Sequence, residues 1–444
     1  MNINLSGKQP TFRQNKPGLN TSYRLLVLLF LLLGSFFLIR SIKQNQIVSP
    51  FADTPVPTRT ANSFEVEGNT RFVAGDLNGA ITALRQATAL DPNNADLLSG
   101  LARIQVYSSG MLTTDALRRT RLEEALASIE RAVKLAPDDS TAHAVRAFVL
   151  DWSSNPTLAG DKSLKLLNDA EQEAVRAIQL DNHNALAMAF YAEILADQFK
   201  WLQAQQYISQ ALERDPTLMD VHRVNAYVLE TLGEYGIAID EYKKAAEITP
   251  NLTFLYLAIG ANYRQLKQNE MALEFFAKAV TIDEQLGIKD PGPYLSIGKT
   301  YAQMGEFFSA SRNMFKALSY SPDNPDTYGQ LGVVYYKSRN YEGSIPALKC
   351  AVLGCTPKES CEVRQCDDTK DAPLEIKGLP LSPSTVVFYF TYASALAGMA
   401  RPNNDYCPQA KPILAQLTTI YAKDDSIMSI VNANTEICSS LGFK

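Results

Sequence analysis

Small residues recur at the same three places in eight successive segments of this chain. When inserts of 11, 11 and 4 residues are set aside, position 8 of each segment is Gly or Ala, position 20 is Ala or Ser, and position 27 is always Ala. The segments end at helix-stop signals, many of them a proline, that follow one another at steps of 45, 45, 34, 34, 34, 38 and 34 residues. Such a fixed period indicates an array of helix pairs packed so closely that only a small side chain fits between them. A chain of 444 residues is too long for one ordinary core, and the array accounts for that length.

The 34-residue period and the small residues at positions 8, 20 and 27 resemble the tetratricopeptide-repeat family. The resemblance covers residues 61–356 as eight units and implies an all-α fold, a right-handed α-solenoid of about nine helix pairs when a divergent ninth unit at 384–424 is included. A C-terminal capping helix is expected at 425–444, because the last repeat of a solenoid otherwise exposes its apolar face.

Three features depart from the regular pattern. The family's proline is replaced at the stops by Asn182, Glu284 and Thr356. The two 11-residue inserts are expected to lengthen the turns between helices A and B of units two and three. Pro346 is expected to make helix B of unit eight start late or kink, since proline lacks a backbone N–H and clashes with the preceding turn.

An apolar run at residues 25–39 is bracketed by Arg24 and Arg40, and with its flanks the segment spans residues 23–42. About 20 residues of helix cross a bilayer, so the segment predicts one N-terminal transmembrane signal-anchor helix. The alternative is a cleaved signal peptide, but no small-x-small cleavage site follows the apolar run. Four basic residues precede the segment and two follow it, which predicts a cytoplasmic basic tail at 1–22 and an extracytoplasmic repeat domain. A proline-containing linker is expected at 43–60.

All six cysteines lie in the last 95 residues, which favours disulfides over zinc ligands or free thiols. Cys407 and Cys438 are expected to pair, because they stand at ends of two antiparallel helices that meet. Among Cys350, Cys355, Cys361 and Cys366 three pairings are open, and the nested one, with the two inner and the two outer cysteines joined, is slightly preferred. These four are expected to staple a loop at 357–383.

No catalytic, metal or cofactor site is expected. Gly298-Lys299-Thr300 resembles the end of a phosphate-binding loop, but Pro293 stands where the first glycine is required. The histidines fall in different units, and no H-x-x-x-H pair occurs. A net charge of −5 argues against nucleic acid as a partner, and no small-molecule substrate is indicated.

The resemblance implies that the A helices line a concave groove, in which positions 2, 5, 9, 12 and 13 face a protein partner. Among the residues at these positions are two acidic ones, Glu193 and Asp197. Aromatic residues beside charged ones suit the capture of an extended peptide or a helix. The residues predicted to line this groove are Tyr107, Phe148, Trp152, Asp220, Arg223, Tyr227, Phe254, Arg264, Lys299, Tyr336 and Lys337.

The sequence therefore predicts a non-catalytic protein-binding scaffold, anchored in the cytoplasmic membrane by residues 23–42. By analogy with membrane-tethered members of the family, envelope assembly or secretion is the expected setting. Two alternatives are open: a targeting subunit of an envelope enzyme complex, such as a glycosyltransferase or the peptidoglycan machinery, and a structural self-assembler.

Overall fold

The computed structural model describes residues 21–43, 59–112, 114–367 and 370–443. The chain divides into two compact units, Met1–Arg59 and Thr60–Lys444. The described part of the first unit is mainly one helix, α1 (Thr21–Lys43). Its window Ser22–Ser41 has a mean hydropathy of 2.2, so this helix is long and apolar enough to cross a membrane by length and composition. Most of the basic tail and of the linker lies outside the described residues.

The second unit is a solenoid of antiparallel helix pairs, which confirms the all-α prediction. Each helix contacts its partner and the following pair. The first five pairs are α2 (Ala61–Val73) with α3 (Leu77–Leu90), α4 (Ala95–Gly110) with α5 (Asp115–Leu135), α6 (Ser140–Ser153) with α8 (Ser163–Leu180), α9 (Ala185–Asp197) with α10 (Trp201–Arg214), and α11 (Met219–Thr231) with α12 (Tyr235–Ile248). Between α6 and α8 lie the short helix α7 (Pro156–Ala159) and a 3-10 turn, Gly160–Lys162.

The C-terminal part continues the same stacking with a short interruption. Its elements are α13 (Thr253–Gln265), α14 (Asn269–Leu286), α15 (Gly292–Met304), α16 (Phe307–Tyr320), α17 (Pro325–Lys337), α18 (Tyr341–Val352), β1 (Gly354–Cys355), α19 (Pro357–Arg364), β2 (Ile376–Lys377), α20 (Val386–Met399), α21 (Tyr406–Tyr421) and α22 (Asp425–Ser440). Strands β1 and β2 pair antiparallel. Helices α20 and α21 occupy the predicted ninth unit, and α22 packs on both of them.

The small residues at position 8 lie where the two helices of a pair approach each other. A Cβ atom added to Gly260 of α13 would stand only 2.4 Å from the ring of Phe276 in α14. The alanines at positions 20 and 27 are fully buried in the same layers. Because interiors are close-packed, a larger side chain at these points would have to push the paired helices apart.

Three local expectations are wrong. The insert of unit two mainly extends helices α4 and α5, so that only residues 111–114 form the turn between them. Helix α18 begins at Tyr341 and continues through Pro346, so the late start is wrong, while the alternative of a kink at Pro346 stays a prediction. The segment predicted as a loop at 357–383 contains helix α19, whose N-terminus is closed by a capping box between Thr356 and Glu359.

The nested pairing of the first four cysteines is also wrong. The structure joins Cys350 to Cys355 and Cys361 to Cys366, and it joins Cys407 to Cys438. The physical reason for the local pairing is helix α19, which occupies the segment after Cys355. Each short bridge therefore closes one end of a helix: the first follows α18 and the second follows α19.

Position 4 of several units ties helix A to the preceding helix stop. His222 Nε2 lies 2.9 Å from the carbonyl oxygen of Pro216, and its Nδ1 lies 2.7 Å from a carboxylate oxygen of Glu241. The hydroxyls of Tyr256 and Tyr328 donate to the equivalent proline carbonyls at 2.7 and 2.8 Å. These side chains therefore fix the turn between consecutive repeats.

Replacing His222 by alanine should lower the free energy of unfolding by about 1–3 kcal/mol near pH 6, because two buried acceptors lose their partner. The hydrogen bond with Glu241 raises the pKa of His222. The charged imidazole therefore stabilises the fold fully below its unfolded pKa of about 6.5, and this contribution is lost as the pH rises through the folded pKa. Chemical denaturation of the full chain in detergent, followed by circular dichroism, should show a smaller loss near pH 9.

The matched control is His183→Ala, since His183 is exposed in the turn before α9. This variant should leave the denaturation midpoint unchanged at either pH. Equal losses for the two variants, or a loss for His222→Ala that grows with pH, would contradict the role assigned to the bond with Glu241.

Candidate binding cavity

Side chains from helix A of the second pair reach the A helices of the fifth and sixth pairs. Arg103 of α4 donates from Nε to Asp220 of α11 at 3.0 Å, although 117 positions separate them in the chain. The ring of Tyr107, also in α4, stacks on Phe254 of α13 with centroids 5.3 Å apart. A Cβ atom at Gly75, where φ is +83°, would stand 2.2 Å from the carbonyl oxygen of Asn251. Units one and two therefore contact units five and six directly.

This closure places several charged groups in the interior. Asp220 is fully buried and accepts hydrogen bonds from Arg103 and from the hydroxyl of Tyr107. Burial by itself raises the pKa of Asp220, but the Arg103 guanidinium outweighs it, so that the pKa is lower than usual. Asp220 is therefore an ionised group that joins the second unit to the fifth.

A second buried ion pair lies beside the first. Arg223 of α11 donates through both terminal nitrogens to Glu193 of α9, at 2.8 and 2.6 Å. The indole Nε1 of Trp152 donates to the same carboxylate at 3.2 Å. The guanidinium also lies 5.5 Å from the ring centroids of Tyr107 and Phe148. Both terminal nitrogens of Arg223 are therefore engaged with Glu193, while its buried Nε has no hydrogen-bond partner in the described part of the chain.

A cavity of about 860 Å³ opens next to this pair. Its polar floor consists of Asp151, Glu193, Asp197, Arg223 and Tyr227. Its walls are apolar and come from helices α6, α7, α8 and α13 and from the turn after α9. They include Trp152, Leu158, Leu164, Leu167, Phe199 and Phe254. The volume is in the usual range for ligand sites, about 300–1,000 Å³.

The pKa values of two carboxyl groups on the floor are raised. Burial raises the pKa of Asp151 well above its ordinary value, and the neighbouring carboxylates of Asp197 and Glu193 raise it further. Burial also raises the pKa of Asp197 to about 6, against the opposing effect of a hydrogen bond from the hydroxyl of Tyr227. Burial in this cavity therefore disfavours the ionised forms of Asp151 and Asp197.

The structure brings four of the predicted groove residues to this cavity: Trp152, Arg223, Tyr227 and Phe254. Three others lie in the packed interior instead, because the solenoid closes over them. Tyr107, Phe148 and Asp220 are at most 1% exposed, so the expectation that they face an open groove is wrong. Arg223 itself is only 6% exposed.

The remaining predicted residues belong to later units and do not line the cavity. Arg264 donates to the carbonyl of Ser296 at 3.5 Å and lies over the ring of Phe276. Lys299 is half-buried in α15, while Tyr336 packs against Tyr341 near the exposed Lys337.

Sequence reasoning misses Asp151, although it occupies position 12 of unit three. The available signal is a lone carboxylate at the end of an apolar run, residues 147–152. Phe199 and Leu164 are missed as well, because they lie in the turn after α9 and at the start of α8 rather than on helix A. Their signal is apolar character in segments that are ordinarily polar.

Two family models match the chain. The model described as "TPR repeat" matches residues 68–106, and the model described as "Tetratricopeptide repeat" matches residues 255–286. Among characterised proteins, the mitochondrial import receptor subunit TOM70 of Homo sapiens is 21% identical over 201 residues. That match covers 44% of this chain and 30% of the receptor subunit, so the chain spans less than a third of that relative's length.

Solved structures of similar fold include the Cut9–Hcn1 hetero-tetramer of the APC/C, with 15% identity, a TM-score of 0.48, and coverage of 84% of this chain and 76% of that one. A second is a thermophilic repeat protein from Thermus thermophilus, with 17% identity, a TM-score of 0.38, and coverage of 46% and 98%. A third is YrrB, described as having an unusual peptide-binding site, with 18% identity, a TM-score of 0.33, and coverage of 48% and 97%. The periodic sequence, the stacked helix pairs and the two matching family models together support a tetratricopeptide-repeat protein.

Proposed function

We propose that this chain is a non-catalytic scaffold, anchored in the cytoplasmic membrane, that holds a segment of a partner protein in the cavity described above. The observation that supports this most is the composition of the cavity. Half-buried aromatic rings, Trp152, Tyr227 and Phe254, stand beside fixed charges in a concave space large enough for several side chains. Rings supply contact area, while charges supply direction and selectivity.

Helix α1 supports the anchoring. Its apolar side chains are exposed along nearly the whole helix, as those of a lipid-facing helix are. Four basic residues precede the apolar segment in the sequence, against two after it, which favours an inside N-terminus. The three cysteine pairs agree with that orientation, because disulfides persist outside the reducing cytoplasm.

The similarity to a mitochondrial import receptor subunit agrees with a role in receiving other proteins at a membrane. For this chain we propose the corresponding class of role in envelope assembly or secretion. Repeat surfaces of this kind hold clients for other machinery and carry no chemistry of their own.

The test is site-specific photo-crosslinking of the full chain in its own membrane. p-Benzoylphenylalanine replaces Phe199, which lies at the cavity mouth and is 74% exposed. The matched control is the same substitution at Phe308, which is 82% exposed on α16 and outside the cavity. A partner captured at 199 and not at 308 is expected. The same captured proteins from both positions, or none at 199, would contradict the proposal, and capture of a second copy of this chain would favour self-assembly.

A further inference from the structure

We propose that the cavity recognises an arginine or lysine side chain of the partner, flanked in the partner by large apolar residues. This inference rests on the proposed function, since it names the chemistry of the segment that the cavity holds. The occupant follows from the charges on the floor, from one carboxylate oxygen without a partner, and from the apolar rim.

The floor has more carboxyl groups than basic groups. Of its three carboxylates, Glu193 is neutralised by the two-point hydrogen bond from Arg223. Asp151 and Asp197 remain, and the contact described for Asp197 is the neutral hydroxyl of Tyr227. At the rim, Arg118 lies 3.7 Å from Asp115, so those two charges offset each other. A cation placed beside Asp151 and Asp197 would favour their ionised forms, which burial disfavours while they have no cationic partner among the described residues.

Asp151 shows where that cation belongs. This residue is 3% exposed, and its Oδ1 has no hydrogen-bond partner in the described part of the chain. A buried carboxylate oxygen without a partner is costly, and a partner that brings a charged donor removes that cost. The same residue lines the cavity, so the donor can arrive from the cavity side.

A metal ion is the other kind of cation to weigh. The described residues contain no group of three or more His, Cys, Asp or Glu side chains placed to hold one. A guanidinium or ammonium on a flexible stem needs only one or two carboxylates. Its methylene stem can also lie against the rings of Trp152 and Phe254, where cations are attracted to the ring faces.

The rim accounts for the apolar neighbours of the basic residue. Phe199 and Leu164 line the cavity and are 74% and 76% exposed. The backbone of Phe199 has a φ of 61°, an unusual value for a bulky residue, which the turn after α9 imposes. Trp201 lies beside it, with ring centroids 6.1 Å apart. Exposed rings at the edge of a charged cavity suit a segment in which large apolar residues flank the cation.

The experiment uses isothermal titration calorimetry with the full chain in detergent and two blocked peptides. One is acetyl-Ala-Leu-Arg-Leu-Ala-amide, and the other has citrulline, the neutral isostere, in place of arginine. We expect the arginine peptide to bind at least about tenfold more tightly, because only it offers charged donors to Asp151 and Asp197. The preference should weaken as the pH falls below about 6, since Asp197 then takes up a proton while it faces Asp151, Glu193, Arg223 and Tyr227.

Three variants locate the effect. Asp151→Asn and Asp197→Asn should each reduce binding of the arginine peptide towards the level of the citrulline peptide. Asp138→Asn is the matched control, because its side chain is 83% exposed and lies outside the cavity, and it should change neither affinity. Phe199→Asn should weaken both peptides alike, since asparagine tolerates the positive φ but removes the ring.

A thermal melt of each variant distinguishes a loss of binding from a loss of folding. Asp151→Asn should melt at the same or a higher temperature than the parent, because burial disfavours the ionised carboxyl and asparagine carries no charge to bury. Equal affinity for the two peptides, no binding of either, or an unchanged preference in both floor variants would overturn the cationic assignment. If photo-crosslinks at 199 were still specific, the scaffold function would stand while this inference failed.

Discussion

Alanine in place of Arg223 should lower the free energy of unfolding by about 3–5 kcal/mol. Arg223 and Glu193 are 7% and 6% exposed at their side chains and are joined by two short hydrogen bonds. Removing one member leaves the other as a buried charge without compensation, which costs far more than the intact pair contributes. The loss should be measured by urea denaturation of the full chain in detergent, followed by tryptophan fluorescence.

The fluorescence signal is local, because Trp152 is one of two tryptophans in the chain and donates to Glu193 itself. Circular dichroism on the same samples reports the whole solenoid, and the two probes need not coincide in a repeat protein. We expect the fluorescence transition to move to lower urea by more than the dichroism transition.

Two controls separate a buried pair from a surface one. Arg176→Ala breaks a pair with Asp138 whose side chains are 46% and 83% exposed, so the cost should be within about 1 kcal/mol. The double variant Arg223→Met with Glu193→Leu removes both charges and should recover most of the stability. A loss for Arg223→Ala no larger than that for Arg176→Ala would show that the pair is hydrated rather than buried.

The repeat could be predicted because its cause is local. Whether two helices of a pair can approach depends on side chains such as Gly260 and Phe276, which are separated by a fixed distance along the chain. The helix stops are equally local, since they depend on proline and on short capping sequences. A single sequence therefore carries enough information to place the pairs.

The closure of the solenoid could not be predicted in this way. It depends on small rotations between successive pairs, which accumulate until Arg103 meets Asp220 and Gly75 meets Asn251. Positions that are exposed in an open array, such as Tyr107 and Phe148, are buried by that accumulated rotation. The same rotation creates the acidic cavity, so the candidate site is a property of the whole array rather than of any one repeat.

The pairing of the first four cysteines also could not be predicted from their spacing. The nested pairing requires a short reversal after Cys355, whereas the capping box at Thr356 starts a helix there. Once α19 forms, Cys361 and Cys366 stand across its C-terminal end and Cys350 remains close to Cys355. Local helix capping thus decides a covalent arrangement that cysteine spacing leaves open.

Replacing Cys407 and Cys438 together by alanine should destabilise the C-terminal end of the solenoid by about 3–4 kcal/mol. Their bridge joins the start of α21 to the end of α22 over a sequence separation of 31 residues, and cross-linking a loop of that length removes much of the freedom of the unfolded chain. Because α22 packs on the last helix pair at the end of the array, we expect it to detach while the remaining repeats stay folded. Hydrogen exchange of the full chain in detergent should therefore accelerate in α22 and α21, with little change in α2 to α12.

The matched comparison is the pair Cys350→Ala with Cys355→Ala, which opens a bridge with a separation of only 5 residues and should cost about 2 kcal/mol. In the parent chain, dithiothreitol should accelerate hydrogen exchange in α22 as the Cys407 and Cys438 variant does. In that variant the bridge is already absent, so dithiothreitol should add little to the exchange of α22. This comparison also tests the proposed compartment. If the parent chain isolated from its membrane under non-reducing conditions exchanged α22 as fast as the Cys407 and Cys438 variant, the bridge would be open in the cell, because a repeat domain held in the reducing cytoplasm keeps its thiols free.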